Sequence, residues 1–187
     1  MTFDAVVLAG GQSRRMGTDK ALLPHPQSGQ SLVLHQLNLL QTVNATRRFV
    51  SARPGQKLPI LPPDVTRIDD AGTEGPLAGI VATLNITTQS HLLVIPVDLP
   101  FLSGSVLQKL SSAAVTLERG IYAETESGPE PLVSLIPRSL KPRLDDAIAG
   151  GQRSPRALFS GKLANEMHPL KFEDEVPFQN WNHPNDI

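Results

Sequence analysis

The stretch VVLAGGQSRRMGTDKALL, residues 6–23, combines glycines with positive charge near the N-terminus. Gly10 and Gly11 close an apolar run, and a backbone without β-carbons can turn sharply there and let a phosphate group approach closely. Arg15 and Lys20 follow, and their side chains can neutralise a polyphosphate, arginine through its planar fork and lysine as a point charge. A strand-to-loop turn with solvated basic residues is the plain alternative, but this combination favours a nucleotide-binding loop.

Two familiar phosphate-binding loops do not fit this stretch. Counted from Gly11, a Walker A loop would place its second glycine where Met16 stands. A dinucleotide-binding fingerprint would need a glycine where Ser13 stands. The loop therefore belongs to neither class.

Two aspartates at the ends of predicted strands could complete a phosphate-transfer site. Asp98 ends HLLVIPVD, the strongest buried-strand pattern, and Asp70 ends DVTRIDD. In open α/β sheets ligands bind at the carboxyl ends of strands, which is where Gly10 also stands. Transfer from a nucleoside triphosphate normally uses Mg²⁺, a cation that prefers oxygen ligands. We therefore expect Asp98 to bind the metal, the alternatives being an exposed strand end or a helix cap.

Strand and helix patterns alternate along the chain, which predicts an α/β domain with a mostly parallel sheet. The predicted strands cover 4–10, 47–52, 64–70, 91–98, 120–128, 130–136 and part of 163–172. The predicted helices cover 31–43, 75–87, 103–120 and 138–151. Ser31 should cap the first helix, and Gly120 should lie just past the end of the third. One domain is expected over residues 1–187.

The composition argues against several functional classes. The net charge is −1, so no global basic field favours nucleic acid. The absence of cysteine excludes disulfides, cysteine-liganded zinc and cysteine nucleophiles. No apolar run approaches the roughly 18 residues of a membrane span, and no signal-peptide pattern is present. A cytoplasmic protein without nucleic-acid or membrane partners is therefore expected.

The stretch LAGGQSRRMGTDK resembles the opening signature of nucleotidyltransferases, L-A-G-G-x-S-x-R-M-G-x-D-K. Sugar-nucleotide and terpenoid-pathway cytidylyltransferases carry looser versions, and the stretch is most similar to the molybdenum cofactor guanylyltransferase family. That resemblance implies a Rossmann-like three-layer nucleotidyltransferase fold and transfer of GMP from GTP to molybdopterin, with release of pyrophosphate. It also implies Mg²⁺ as cofactor, and transient contact with other cofactor-biosynthesis or acceptor proteins.

Later segments resemble the same family in the same order. The segment IDD followed by GPLAG identifies Asp70 as a nucleotide contact, and IPVDLPFL identifies Asp98 as the metal position. Leu99 after that aspartate favours the guanylyl branch, because the cytidylyl relatives tend to have glutamine there. Matched residue by residue, the resemblance implies three catalytic residues, Arg15, Lys20 and Asp98. It implies nucleotide contacts from Leu8, Ala9, Gly10, Gly11, Lys20, Asp70 and Asp98.

The C-terminal third is expected to bind the acceptor. GGQRSPRALF offers Arg153 and Arg156, for which solvated positions at a helix start are an equal alternative. FQNWNHPNDI resembles the family's F-x-N-[VI]-N-T-P ending, which implies acceptor contacts from Asn180 and Asn182.

Phosphate contacts are blind to the base, so the sequence leaves other substrates open. Another nucleotidyltransferase could use CTP, or a sugar-phosphate or phospholactate acceptor, and a non-catalytic GTP-binding protein could keep the same fold. Relatives often place an asparagine near the base or ribose, where this chain has Ser51 or Arg53. The five histidines show no metal-ligand spacing and are expected as isolated surface or loop residues. Glu124, Glu126 and Glu130 are expected to be solvated, in a loop that could shape the pocket of the second substrate.

Overall fold

The computed structural model describes residues 2–10, 19–70 and 75–181. The strands are β1 (Phe3–Leu8), β2 (Arg48–Ala52), β3 (Val65–Asp69), β4 (His91–Pro96), β5 (Gly120–Thr125), β6 (Gly128–Pro137) and β7 (Met167–Lys171). They form one sheet in the order β3-β2-β1-β4-β6-β5-β7. β6 is antiparallel to β4 and β5, whereas the other paired strands are parallel. The predicted α/β fold with a mostly parallel sheet is confirmed.

The helices cover the sheet on both faces. They are α1 (Leu32–Leu39), α2 (Pro76–Ile86), α3 (Gly104–Leu117), α4 (Lys141–Ala149) and α5 (Pro155–Phe159). Residues of α1 and α3 share one apolar cluster with the sheet, and residues of α2, α4 and α5 share the other, which gives three layers. No helix in the described ranges has the length and hydropathy that crossing a membrane would require.

The strand β1 shows why its sequence is a continuous apolar run. Ala5 and Val7 belong to the cluster on one face of the sheet, and Val6 belongs to the cluster on the other. A parallel strand covered by helices on both faces buries every side chain rather than every second one. The same burial on both faces explains the apolar run of β4, with Pro96 at its very end.

The sheet topology decides which residues can meet. Strands β1 to β4 run in the same direction, so their carboxyl ends lie at one edge of the sheet. Because β6 runs the opposite way, its first residues reach that same edge. The carboxyl ends of β1, β3 and β4 and the start of β6 therefore lie at one edge of the sheet.

Of two predicted helix caps, Ser31 stands at the expected position without the expected hydrogen bond, and Gly120 does not cap its helix. Ser31 precedes α1, but its side chain makes no capping hydrogen bond. α3 ends at Leu117, and Glu118 adopts the left-handed conformation there with φ 51°. Gly120 instead begins β5, where a β-carbon would lie 2.7 Å from Pro137 Cδ. That glycine is required by close packing between strands and not by the end of the helix.

Candidate active site

Lys20 and Asp98 meet at the carboxyl edge of the sheet. Lys20 begins a short 3-10 turn, which Asp19 caps by accepting a hydrogen bond from Ala21 N at 3.1 Å. Lys20 Nζ donates to Asp98 Oδ2 at 2.9 Å, and the two side chains are 15% and 25% exposed. The fold thus brings together two candidate site residues that lie 78 positions apart in the chain.

Asp70 lies against Gly10 at the same edge. A β-carbon on residue 10 would stand 3.3 Å from Asp70 Cγ and 3.5 Å from Arg53 N, and it would overlap a carboxylate oxygen. Asp70 Oδ1 is buried and accepts no hydrogen bond from the described residues. Burial raises the pKa of the Asp70 carboxyl, although the charge of Arg53 opposes that effect. A carboxylate with an unused acceptor oxygen suits a ligand that donates hydrogen bonds.

Gln56 supports this region, although no sequence motif indicated it. Its Nε2 donates to Ala9 O at 2.9 Å, and its Oε1 accepts from Arg53 N at 2.9 Å. The side chain is buried, so it ties the backbone after β1 to the backbone after β2. Leu8, the last residue of β1, is held to β4 because its carbonyl accepts a hydrogen bond from Val97 N at 3.1 Å. The one sequence signal for Gln56 is a polar residue in a proline-rich segment.

Ser51 and Arg53, the two candidates for the position of the family asparagine, have different surroundings. Ser51 is buried beneath α2, where its hydroxyl lies against Gly79. Arg53 is partly exposed, and its Nη2 pairs with Asp19 Oδ2 at 3.2 Å. Of the two, Arg53 is therefore the residue that a bound nucleotide could contact.

Glu130 is close enough to Arg156 and to Asp98 for the charges of both to influence its carboxyl group. Arg156 Nη2 donates to Pro129 O at 2.6 Å. Burial raises the pKa of Glu130; the charge of Arg156 opposes this, and the charge of Asp98 raises the pKa further. The solvated position expected for Glu130 is wrong, because its side chain is half-buried.

The other acceptor-side candidates are placed differently. Arg153 is bonded to nearby backbone, since its Nη1 donates to Ile148 O at the end of α4 at 3.1 Å and to Gln152 O at 3.2 Å. Asn180 is exposed. Its neighbour Trp181 is buried and donates its backbone N–H to Asp98 O at 2.9 Å, which brings the C-terminal segment to the site.

The histidine prediction is wrong for one pair. His25 is 3% exposed, and its ring stacks on His35 with centroids 3.7 Å apart at 16°. Burial lowers the pKa of His35, and a second proton on the neighbouring His25 ring would lower it further. The spacing of these residues gave no signal, because they contact each other and a backbone carbonyl and do not form a motif.

Three of the candidate residues, Gly11, Arg15 and Asn182, lie outside the described residues. Within residues 2–10, 19–70 and 75–181, no three acidic or histidine side chains group as a complete metal site. Mg²⁺ commonly takes only one or two protein carboxylates and completes its coordination with water and substrate phosphates. Asp98, a partly exposed carboxylate at the end of a strand, fits that demand.

Comparisons with known proteins agree with this arrangement. The family described as a MobA-like NTP transferase domain matches residues 5–167. A probable molybdenum cofactor guanylyltransferase from Mycobacterium avium (strain 104) is 34% identical over 170 residues, which cover 89% of this chain and 85% of that protein.

Two solved structures share the fold. One is molybdopterin-guanine dinucleotide biosynthesis protein A from Archaeoglobus fulgidus, with TM-score 0.74 and 21% identity over 98% of this chain and 94% of that one. The other is 2-C-methyl-D-erythritol 4-phosphate cytidylyltransferase from Thermus thermophilus, with TM-score 0.74 and 17% identity over 100% of this chain and 95% of that one. One of these proteins is named for a guanine dinucleotide and the other for cytidylyl transfer. Because both share this fold, the fold itself does not determine which base is used.

Proposed function

This chain belongs to the MobA-like NTP transferase family and is a nucleotidyltransferase, and we propose that it transfers GMP from Mg·GTP to molybdopterin and releases pyrophosphate. The observation that carries the proposal is the Lys20–Asp98 pair, which stands at the strand ends beside Gly10 and Asp70. A cation for phosphates, a carboxylate for a metal and a close backbone approach are the parts that this chemistry requires.

The reaction makes few covalent demands on the protein. A terminal phosphate oxygen of the acceptor forms a bond to the α-phosphorus of GTP, and the bond from that phosphorus to the bridging oxygen breaks. Pyrophosphate leaves with the electron pair. The attacking phosphate is already anionic, so no side chain has to remove a proton. Positioning and charge neutralisation therefore account for the catalysis.

Each proposed residue has a separate task. Lys20 neutralises the β- and γ-phosphates and the leaving pyrophosphate, together with Arg15. Asp70 accepts hydrogen bonds from the nucleoside through the carboxylate oxygen that lacks a partner among the described residues. The backbone of Leu8, Ala9, Gly10 and Gly11 lies along the nucleotide.

Asp98 is proposed to hold Mg²⁺, which neutralises phosphate charge and orients the reacting groups when it is bound. The carboxylate is already paired with Lys20 at 2.9 Å. Lys20 has a long flexible stem, so its ammonium could reach the phosphates while the Asp98 carboxylate would hold the metal. The pair keeps both charges compensated before the substrates arrive.

The choice of acceptor is supported by the relative from Mycobacterium avium and by the groups near Asp98. Arg156 and Glu130 offer a cation and a half-buried carboxylate, and β6, which carries Glu130, pairs with β4 on the side away from β1. A pterin with a phosphate presents both an anion and a set of N–H donors, which these two side chains can recognise. A nucleotidyltransferase that uses CTP or another phosphorylated acceptor is the competing assignment.

Pyrophosphate release tests the proposal when it is measured with each of four nucleoside triphosphates, with and without molybdopterin. We expect release only with GTP and molybdopterin together. Release that prefers CTP, or that proceeds equally without molybdopterin, would contradict the assignment.

Two variants test the residues. Lys20→Ala and Asp98→Ala should each lower turnover by about a hundredfold or more, as removal of a charge-stabilising group does in other enzymes. Lys141→Ala and Asp145→Ala are matched controls, because these residues form an ion pair within α4 and should leave turnover unchanged. Near-normal turnover in both site variants would exclude the proposed roles.

A further inference from the structure

The turn that follows β4, residues 98–100, is held from three directions. Three successive carbonyls each accept a hydrogen bond from a different part of the chain: Asp98 O from Trp181 N (2.9 Å), Leu99 O from Gln36 Nε2 (2.6 Å) and Pro100 O from His25 Nε2 (2.9 Å). β4 itself ends at Pro96, and Val97 N makes the next hydrogen bond to β1. Asp98 therefore projects from backbone that the sheet no longer fixes.

In the hydrogen bond between His25 and Pro100, the ring nitrogen is the donor. His25 Nδ1 accepts hydrogen bonds from the backbone N–H groups of Gln27 and Ser28, both at 3.2 Å. Because an amide N–H can only donate, Nδ1 carries a lone pair and the ring hydrogen lies on Nε2. That N–H donates to Pro100 O, while stacking on His35 holds the plane of the buried ring.

The hydrogen bond from Gln36 is not needed to satisfy the Leu99 carbonyl. Leu99 O already accepts a hydrogen bond from Leu102 N at 3.1 Å. Gln36 is fully buried on α1, and its Oε1 has no hydrogen-bond partner among the described residues. A buried amide with one unsatisfied oxygen is costly, and an apolar side chain of similar shape would avoid that cost. The amide at this position therefore points to a role in holding the turn.

We propose that His25 and Gln36 are positioning residues, which hold the turn so that the Asp98 carboxylate faces the metal–nucleotide complex. The inference rests on the proposed function only through the role of Asp98 as a metal ligand. His25 lies on the same segment as Lys20, so this segment contacts the Asp98 turn twice: Lys20 with the Asp98 carboxylate and His25 with the Pro100 carbonyl. α1 supplies the third support through Gln36.

The test measures Mn²⁺ affinity by electron paramagnetic resonance, with α,β-methylene-GTP present, so that neither turnover nor the acceptor is needed. Gln36→Met removes the donor but keeps the shape, and His25→Phe keeps a stacked ring without its nitrogens. Both should weaken Mn²⁺ binding by about tenfold, the usual effect of losing a group that orients a metal ligand. His25→Gln should restore most of the affinity, because its amide can again donate to Pro100 O.

Turnover gives a second readout. Both variants should lower kcat by about tenfold with the KM for GTP within about twofold, because the metal ligand is misplaced while the phosphate contacts remain. Thr87→Val is the matched control, since Thr87 is also buried but its hydroxyl bonds to Thr83 O at the end of α2. It should change neither Mn²⁺ affinity nor kcat.

Several outcomes would overturn the inference. Folded Gln36→Met and His25→Phe proteins with normal Mn²⁺ affinity and kcat would exclude the positioning role. An equal loss in Thr87→Val would identify general destabilisation as the cause. Mn²⁺ binding to the wild type that Asp98→Asn does not weaken would exclude Asp98 as the ligand. Normal metal binding without GMP transfer would instead exclude the proposed function alone.

Discussion

Gly10 and Asp70 occupy adjoining space across the end of an intervening strand. Gly10 follows β1 and Asp70 follows β3, with β2 between them in the sheet. The side chain of Asp70 reaches so far that a β-carbon on residue 10 would come within 3.3 Å of its Cγ. The glycine is thus required by the position of the carboxylate as well as by any approaching phosphate.

Gly10→Ala should therefore weaken GTP binding by displacing the Asp70 carboxylate. We expect a loss of about tenfold, typical of losing one hydrogen bond that involves a charged group. Isothermal titration calorimetry of GTP would measure it. In an Asp70→Ala background the added methyl group meets no carboxylate, so the second substitution should have a much smaller effect. Equal effects in both backgrounds would contradict the contact.

Asp70→Asn should raise stability at neutral pH while weakening nucleotide binding. Burial raises the folded-state pKa of this carboxyl above its unfolded value, so at neutral pH the ionised form disfavours the folded state. That penalty disappears as the pH falls through the folded-state pKa, because the folded protein then binds the proton.

Urea denaturation at pH 7 and at pH 4 would measure the free energy of unfolding of both proteins. The variant should be the more stable at pH 7, and the difference should shrink at pH 4. A variant that is less stable at pH 7 would contradict the desolvated carboxylate.

Arg156→Gln should impair binding of the acceptor more than binding of GTP. Arg156 contacts the β5–β6 hairpin next to Glu130, whereas Arg153 is bonded to carbonyls of α4 and of its own loop. We expect the KM for molybdopterin to rise by about tenfold, the cost of a lost charged contact, with the KM for GTP almost unchanged. Arg153→Gln is the matched control and should have the smaller effect. A larger rise in the KM for molybdopterin with Arg153→Gln than with Arg156→Gln would instead assign the acceptor contact to Arg153.

Glu118→Gly should stabilise the protein without affecting activity. Glu118 is exposed at the end of α3 with φ 51°, a conformation that costs a residue with a β-carbon about 1–2 kcal/mol. The greater backbone freedom of glycine in the unfolded chain offsets part of this gain, which leaves about 0.5–1 kcal/mol. Thermal unfolding would detect a higher Tm, and pyrophosphate release should stay at the wild-type rate. An unchanged or lower Tm would contradict the prediction.

The strands and the proximity of Lys20 to Asp98 could be predicted because both follow from patterns of residue type along the sequence. Buried parallel strands require apolar runs. Charged residues that follow such runs lie at the edge of the sheet where the strands end, which is where ligands bind. His25, Gln36 and Gln56 could not be predicted, since each acts on a backbone carbonyl and a carbonyl is present at every residue. Their roles depend on which distant segment the fold brings within hydrogen-bond distance.

The reversed strand β6 separates the strands β1 to β4 from β5 and β7 within the sheet. The residues proposed to bind the nucleotide lie at the ends of β1 to β4, whereas the β5–β6 hairpin carries Glu130 and contacts Arg156. The tip of the hairpin is tied to the C-terminal segment, because Ser127 N donates to Glu175 Oε1 at 2.8 Å. On the proposed assignment, exchanging this hairpin while keeping that tie would change the acceptor specificity and leave triphosphate binding in place.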